Sequence, residues 1–243
     1  MLLQLAATLA SAVEGWKPLH TVPLAADVHH VQGIDVEGTR LWVSSVDRPA
    51  AKGYLTVFDL VDGRMIQQVE VQEGQRIHPG GITLDGDAIW IPVAEYDRDG
   101  PTTIQRRDKQ SLRVAASFEV ADHIGCIAAG PAHLAGGNWD SRIIYRWSRD
   151  GRELGRTRNP RPAKYQDVKI LDGLLVGSGD LSKSTGAIEW LALPDLKLIR
   201  RVQASATPRG VPYTHEGMTI RGGKLYLLPE DHPSTVYVFT PGP

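Results

Sequence analysis

Hydrophobic residues come in short runs separated by polar turns, most clearly near the C-terminus. Residues 213–239 (YTHEGMTIRGGKLYLLPEDHPSTVYVF) read as three strands. Positions 216–220 are small and apolar. Positions 224–228 alternate and are rich in Leu and Tyr. Positions 235–239 are β-branched and aromatic. Gly222-Gly223 makes the first turn, because two glycines reach positive φ at little cost. The second connection, 229–234, is longer and polar. Three strands alone are marginally stable and need neighbours.

The same unit recurs upstream. His30-Val-Gln-Gly-Ile34 leads to an apolar strand through Trp42, then to strands at 54–60 and 65–71. His78-Pro-Gly-Gly-Ile82 leads to one through Trp90, then to 103–107 and 112–120. His123-Ile-Gly-Cys-Ile127 leads to one through Leu134, then to 142–147 and a weak strand near Leu154. Tyr165-Gln-Asp-Val-Lys-Ile170 leads to 174–176, 187–193 and 198–202. The anchors Gly33, Gly81, Cys126, Val168 and Gly217 recur roughly every 45 residues, the spacing of four-stranded propeller blades. Four blades are complete and the last has three strands. Residues 16–24 supply its fourth, and Pro18 and Pro23 fit an outermost strand whose missing N–H donors face solvent. The expected fold is all-β: a five-bladed β-propeller in one domain, 15–243, its last blade closed by the N-terminal strand.

Composition narrows the function classes. A formal charge of −1 gives no electrostatic case for nucleic acid or an anionic membrane. The basic stretch Arg156–Lys164 lacks interleaved aromatics and reads as an exposed inter-blade loop. Cys126 is the single cysteine, so no intrachain disulfide forms; in its apolar strand it reads as a small buried hydrophobe. Residues 1–14 are apolar, end in Ala-Ser-Ala before Val13, and are too short to span a bilayer as a helix. They fit either the remnant of an export signal or a short helix with Leu2, Leu5, Leu9 and Val13 on one face. Exported and cytoplasmic compartments both remain open, and a monomer is expected.

Propeller geometry decides which loops meet. Segments before each innermost strand and segments after each second strand share one end of the central channel. That end collects six of the eight histidines and an acid from every blade, whereas the opposite turns are mostly Asp-Gly or Gly-Gly. The candidate catalytic set is His78, His123 and His215 as proton carriers or ligands, with Glu95, Asp167 and Glu216 to orient or deprotonate. The candidate substrate-binding set is Gln32, His30, Asn138, Trp139, Tyr165 and Glu230. Carboxylates beside imidazoles suit general acid–base chemistry. They also suit a divalent zinc, manganese or iron ion, although no HxH or HExxH spacing is present and no residue is assigned as a metal ligand. Repetition of His30, His78 and His123 at one repeat position equally fits a structural cap on each strand end. The other aromatics, Trp42, Trp90, Tyr145, Trp147, Trp190, Tyr226 and Tyr237, read as inter-blade packing.

Two resemblances follow from these motifs. The plan resembles the five-bladed propellers of plant- and bacterial-type glutaminyl-peptide cyclotransferases. Their opening Phe-Thr-Gln-Gly-Leu is similar to His30-Val-Gln-Gly-Ile34, and the turn Phe58–Arg64 is also similar. Their later Glu-Gly, Glu-Gly-Trp-Gly and Asn-Glu-Leu-Glu motifs are here Gly80-Gly81, His123–Cys126 and Tyr165–Val168, so of that family's site only Gln32 carries over. A closer resemblance is to an uncharacterised family of small propellers. Its motifs are similar to Gln32-Gly-Ile34, Trp42–Asp47, His78–Ile82, Pro92–Tyr96, Asp122–Gly125, Tyr165–Asp167 and Pro229–Asp231. This resemblance implies membership without an activity. The residues thus leave three readings: a small-molecule enzyme or binder of acid–base type (hydrolase, cyclase, lyase or isomerase) without an organic cofactor; a non-catalytic module for a protein or glycan; and a metal-dependent lactonase-like hydrolase.

Overall fold

The computed structural model describes residues 12–242. Five sheets surround one axis. Blade one is β2 (His30–Glu37), β3 (Arg40–Asp47), β4 (Lys52–Asp59) and β5 (Met65–Glu70), and blade two runs from β6 (Arg76–Pro79) and β7 (Thr83–Asp85) through β8 (Ala88–Glu95) and β9 (Thr102–Asp108) to β10 (Val114–Val120). Blade three holds β11 (Ile124–Ala129), β12 (Leu134–Asn138), β13 (Ile143–Trp147) and β14 (Glu153–Arg158). Blade four holds β15 (Lys164–Leu171), β16 (Leu174–Asp180), β17 (Gly186–Ala192) and β18 (Lys197–Ala204). Blade five is β19 (Glu216–Arg221), β20 (Lys224–Pro229) and β21 (Thr235–Pro241), with β1 (Trp16–Pro23) outermost. β1 pairs antiparallel with β21 from Trp16↔Pro241 to Pro23↔Thr235, so the two ends of the chain close the ring. Of the apolar segment expected over 1–14, residues 1–11 lie outside those described. Val13 is buried, and the Glu14 N–H bonds the Gln203 carbonyl.

Alternation along the strands builds the core. Five hydrophobic clusters fill the five wedges between adjacent blades. Trp42, Trp90, Tyr145, Trp147 and Tyr226 are buried in them, as expected for large flat rings in such gaps. Gly222 and Gly223, both at positive φ, form the β19–β20 turn that two glycines favour. Cys126 is fully buried, and burial pushes its thiol up to about 12, which leaves it an inert hydrophobe.

Two expectations need correction. The inner strand of blade two is broken, because Gly81 turns from the sheet to meet blade three. The Gly81 N–H bonds the Gly125 carbonyl and the Ile127 N–H bonds the Gly81 carbonyl. The basic stretch is also not one loop: alternation carries β14 through Arg158, and β15 begins at Lys164.

The channel below the mouth is filled. A Cβ on Gly33 would lie 2.4 Å from the Gly81 Cα and 2.9 Å from the Ile82 nitrogen, both backbone. Gly33→Ala is therefore expected to cost about 1–3 kcal/mol by overpacking, read as a lowered urea midpoint with an unchanged m-value. Two carboxylates tie the inner strands together. Asp35 on β2 accepts the Leu84 N–H from blade two, the Thr219 hydroxyl and the Arg221 guanidinium from blade five. Asp167 on β15 accepts the Ile34 N–H from blade one, the Met218 N–H from blade five and the ammonium of buried Lys169.

Candidate functional site

Strand ends from all five blades meet at one mouth of the channel. They enclose a cavity of about 310 Å³, the size of a small metabolite site. Blade one supplies His30, Gln32 and Arg48; blade two supplies His78 and Tyr96; blade three supplies His123, Asn138 and Trp139. Blade four supplies Tyr165 and Gln166, and blade five His215, Glu216 and Glu230. Four of the six histidines expected at this end line the cavity.

One wall is aromatic. The His123 and Trp139 rings meet edge-on at 4.6 Å, and Tyr96 lies 4.5 Å from His78. The histidines also form a hydrogen-bond chain whose proton positions follow from its end. The Asp97 carbonyl only accepts, so His123 Nδ1, 2.7 Å away, carries a proton. Burial lowers His123, against the opposing pull of the Asp97 and Glu95 carbonyls, so the ring is neutral and its Nε2 bare. That Nε2 lies 3.1 Å from His78 Nδ1, which must donate to it. Burial, then the neighbouring His123, His30 and Arg48, hold His78 well below the usual histidine range. His78 is thus neutral, protonated at Nδ1, with a bare Nε2 that no described side chain or backbone group bonds.

The opposite wall carries charge. His215 Nδ1 sits 2.5 Å from Asp180 Oδ2, and Nε2 sits 3.7 Å from Glu216 and 3.6 Å from Glu230. The hydrogen bond to Asp180, with the Glu230 carboxylate nearby, pushes His215 up to about 10. His30 Nδ1 lies 2.7 Å from the Glu230 carboxylate. Burial alone would raise Glu230, but His215 and His30 outweigh it and hold the carboxyl well below its usual range. Glu216 behaves in the opposite way. It is 4% exposed, its Oε2 has no hydrogen-bond partner, and its backbone φ is +91°. Burial, joined by the charges of Glu230, Asp180 and Asp167, pushes it up to about 8 against the pull of His215. A non-glycine residue at that φ is strained, and such strain gathers at functional positions.

Not every expected residue reaches the cavity with a free polar group. Asp167 does not line the cavity: it is fully buried with both oxygens occupied, a tie between blades. The Glu95 side chain does not line it either; its main chain is what meets His123. His215 lines the cavity with its Nδ1 against Asp180, which favours its charged form. Asn138 and Tyr165 reach the wall with their polar groups engaged elsewhere. The Asn138 amide bonds Asp122 and the Ile143 N–H, and the Tyr165 hydroxyl donates to buried Glu189. Sequence reasoning missed Arg48, which lies 5.1 Å over the Tyr96 ring, although its place directly after Asp47 in a mouth loop could have marked it.

Among the described residues one trio, His30, Glu216 and Glu230, brings three ligand-type atoms within 4.8 Å of one another, the spacing of a divalent-metal site. The cation next to its carboxylates is already present as the His215 imidazolium. The trio thus has a counter-charge beside it, with His215 Nε2 3.7 Å from Glu216 and 3.6 Å from Glu230.

Comparison with solved structures returns the same architecture. The glutaminyl cyclase of Myxococcus xanthus superposes with a TM-score of 0.70 at 11% identity, over 94% of this chain and 97% of that one. The WD40 domain of Neurospora crassa Pan2 gives 0.52 at 8% identity, over 92% and 94%. At these identities the likeness is one of fold. No curated protein matches in sequence. No helix among the described residues is long and apolar enough to cross a membrane. Residues 8–167 match the model of a family of unknown function, DUF6454, and the chain belongs to that family.

Proposed function

We propose that the chain is a small-molecule enzyme of acid–base type, acting in the cavity at the propeller mouth. The observation that carries this reading is the chain from the Asp97 carbonyl through His123 to His78, which leaves a bare imidazole nitrogen on a neutral ring. A neutral base of this kind accepts a proton near pH 7 without first losing one.

Its counterpart is Glu216, whose carboxyl stays protonated at neutral pH and can donate, as a carboxylic acid held neutral by its site does elsewhere. In the proposed reaction His78 takes a proton from the substrate or from an attacking water. Glu216 gives one to the oxygen or leaving atom where negative charge develops. Solvent restores both groups after product leaves. Arg48 supplies positive charge to the same space, which favours a transition state richer in negative charge than the substrate. Tyr96 and Trp139 give the same space an aromatic wall suited to a ring-bearing molecule. Hydrolysis, cyclisation, elimination and isomerisation all fit this pairing. The propeller likeness to a glutaminyl cyclase adds a cyclisation to the first panel of reactions to test.

The test is a substrate screen across those four reaction types with the wild-type chain and His78→Ala. Loss of the base is expected to reduce turnover by about 10²–10⁴-fold. The acidic limb of the pH profile, where His78 becomes protonated, should lie below the usual histidine range in the wild type, since burial lowers its pKa. Turnover retained in His78→Ala removes the proposal. A ligand-dependent rise in melting temperature without turnover of any ligand found would favour the non-catalytic binding module instead.

A further inference from the structure

A second cavity lies beside the mouth. It is a groove of about 1010 Å³ between blades three and four. Five cations line it, Arg142, Arg156, Arg158, Arg161 and Lys164, against three carboxylates, in a chain whose formal charge is −1. The carboxylates are largely engaged. Asp122 accepts from the Tyr145 hydroxyl and the Asn138 amide. Asp140 is bonded by Arg98 at 3.2 Å, which leaves Lys164 at 3.8 Å in excess. Asp99 is exposed and lies 3.7 Å from Arg142.

Two guanidiniums are left in excess. Arg158 has no side-chain hydrogen bond or ion pair among the described residues. Arg161 touches Glu189 only at 3.4 Å, and its own Nε is buried without a partner. Glu189 is already held by Arg201 at 2.6 Å and by the Tyr165 hydroxyl, so its charge is met without Arg161. A buried N–H without an acceptor carries a cost that an incoming oxygen anion would remove.

The groove adjoins the central site. Asn138 and Asp140 line both spaces. Lys164 and Asp140 also line a third cavity of about 620 Å³ that extends to His215 and Glu230. An extended molecule with one end against His78 and Glu216 therefore has the basic groove beside it.

We propose that this groove recognises an anionic group, a carboxylate or a phosphate, on the substrate whose other end reacts in the central cavity. This rests on the acid–base reading above and gives it a substrate class: an extended molecule with a small reactive head and an anionic tail. Arg158, Arg161 and Lys164 are the binding cations, and Arg161 Nε supplies the buried donor.

The experiment needs no knowledge of the substrate. Melting of the full chain in low-salt buffer is followed with tripolyphosphate, with propane-1,2,3-tricarboxylate, and with potassium chloride at matched ionic strength. A saturable rise with one or both polyanions, absent with chloride, is expected, and the stronger of the two arms tells phosphate from carboxylate. Arg158→Glu lies on an exposed edge strand and should fold. It should weaken binding by about tenfold or more, the loss of one charge-assisted contact. Lys164→Glu should do the same, and His78→Ala should keep the response. Equal shifts with chloride, no shift, or a response indifferent to Arg158→Glu each overturn the proposal. A response lost in His78→Ala would put the anion in the central cavity and overturn it too. Failure of the acid–base reading is a separate outcome, seen as turnover surviving His78→Ala whatever the groove binds.

Discussion

Glu216→Gln is expected to lower turnover by about 10²–10⁴-fold and, at the same time, to stabilise the fold above pH 8. The two effects have one cause. An ordinary glutamate titrates at 4.5, whereas burial pushes this carboxyl up to about 8, with Glu230, Asp180 and Asp167 adding repulsion and His215 pulling the other way. Between those values the folded chain holds a proton that the unfolded chain has lost, so stability falls as pH rises from about 4.5 to about 8 and then levels off. A shift of this size sets a ceiling of roughly 5 kcal/mol on the loss. Glutamine cannot ionise and does not incur it. At pH 9 the variant should melt above the wild type, by roughly 2–4 °C for each kcal/mol recovered in a chain of this length. At pH 4 the two should melt alike.

The same substitution removes the proton donor. In the wild type, turnover should fall as pH rises through about 8, where Glu216 ionises; in Glu216→Gln that limb should disappear along with most of the rate. Stabilisation without loss of rate would show that Glu216 is merely strained and buried. Loss of rate with the alkaline limb intact would assign the limb to another group. The +91° φ at this position argues for the functional account, because a fold selected for stability alone would place glycine or asparagine there.

Much of this architecture was legible in the chain because propellers repeat. One blade read from its turns and alternation, 213–239, located the other four and the closing strand at residue 16. The mouth was legible for the same reason, since strand order alone decides which loops share an end. His30, His78, His123, His215, Glu216 and Glu230 were found that way. What repetition could not say is where each side chain turns at a strand end. Asp167 stands next to Tyr165 and Gln166, which line the cavity, yet a strand alternates its faces and a bulge sits between Tyr165 and Asp167, so its carboxyl goes down the axis instead. Proton assignments were equally out of reach, because His78 and His215 look alike in sequence and only their partners, a second imidazole and a carboxylate, set them apart. Lys169 and Asp35 did leave a trace: a charge inside an apolar inner strand, in Val-Lys-Ile and Ile-Asp-Val, signals a buried partner.

The axial pair gives the largest stability effect. Lys169 is 2% exposed, and its ammonium has one carboxylate, Asp167 at 2.5 Å, plus the Ile82 and Val168 carbonyls. Burial pushes Asp167 up to about 6, against the Lys169 charge and the N–H groups of Ile34 and Met218, so it remains ionised at pH 7. Asp167→Asn removes the one carboxylate that a buried ammonium is bonded to among the described residues and is expected to cost about 3–5 kcal/mol. Lys169→Met in the wild-type background should also destabilise, since it leaves a buried carboxylate without its cation. The double variant Asp167→Asn, Lys169→Met removes both charges while the asparagine carbonyl can still accept from Ile34 and Met218. It should recover part of the loss, a coupling of about 1–3 kcal/mol in a double-mutant cycle measured by urea unfolding. The cycle also separates a structural tie from a catalytic acid. If Asp167 only ties blades together, turnover should return in the double variant along with stability, because the cavity is lined by His78 and Glu216 and not by this carboxyl. If stability returns and turnover does not, Asp167 takes part in the chemistry, as its place in the sequence first suggested.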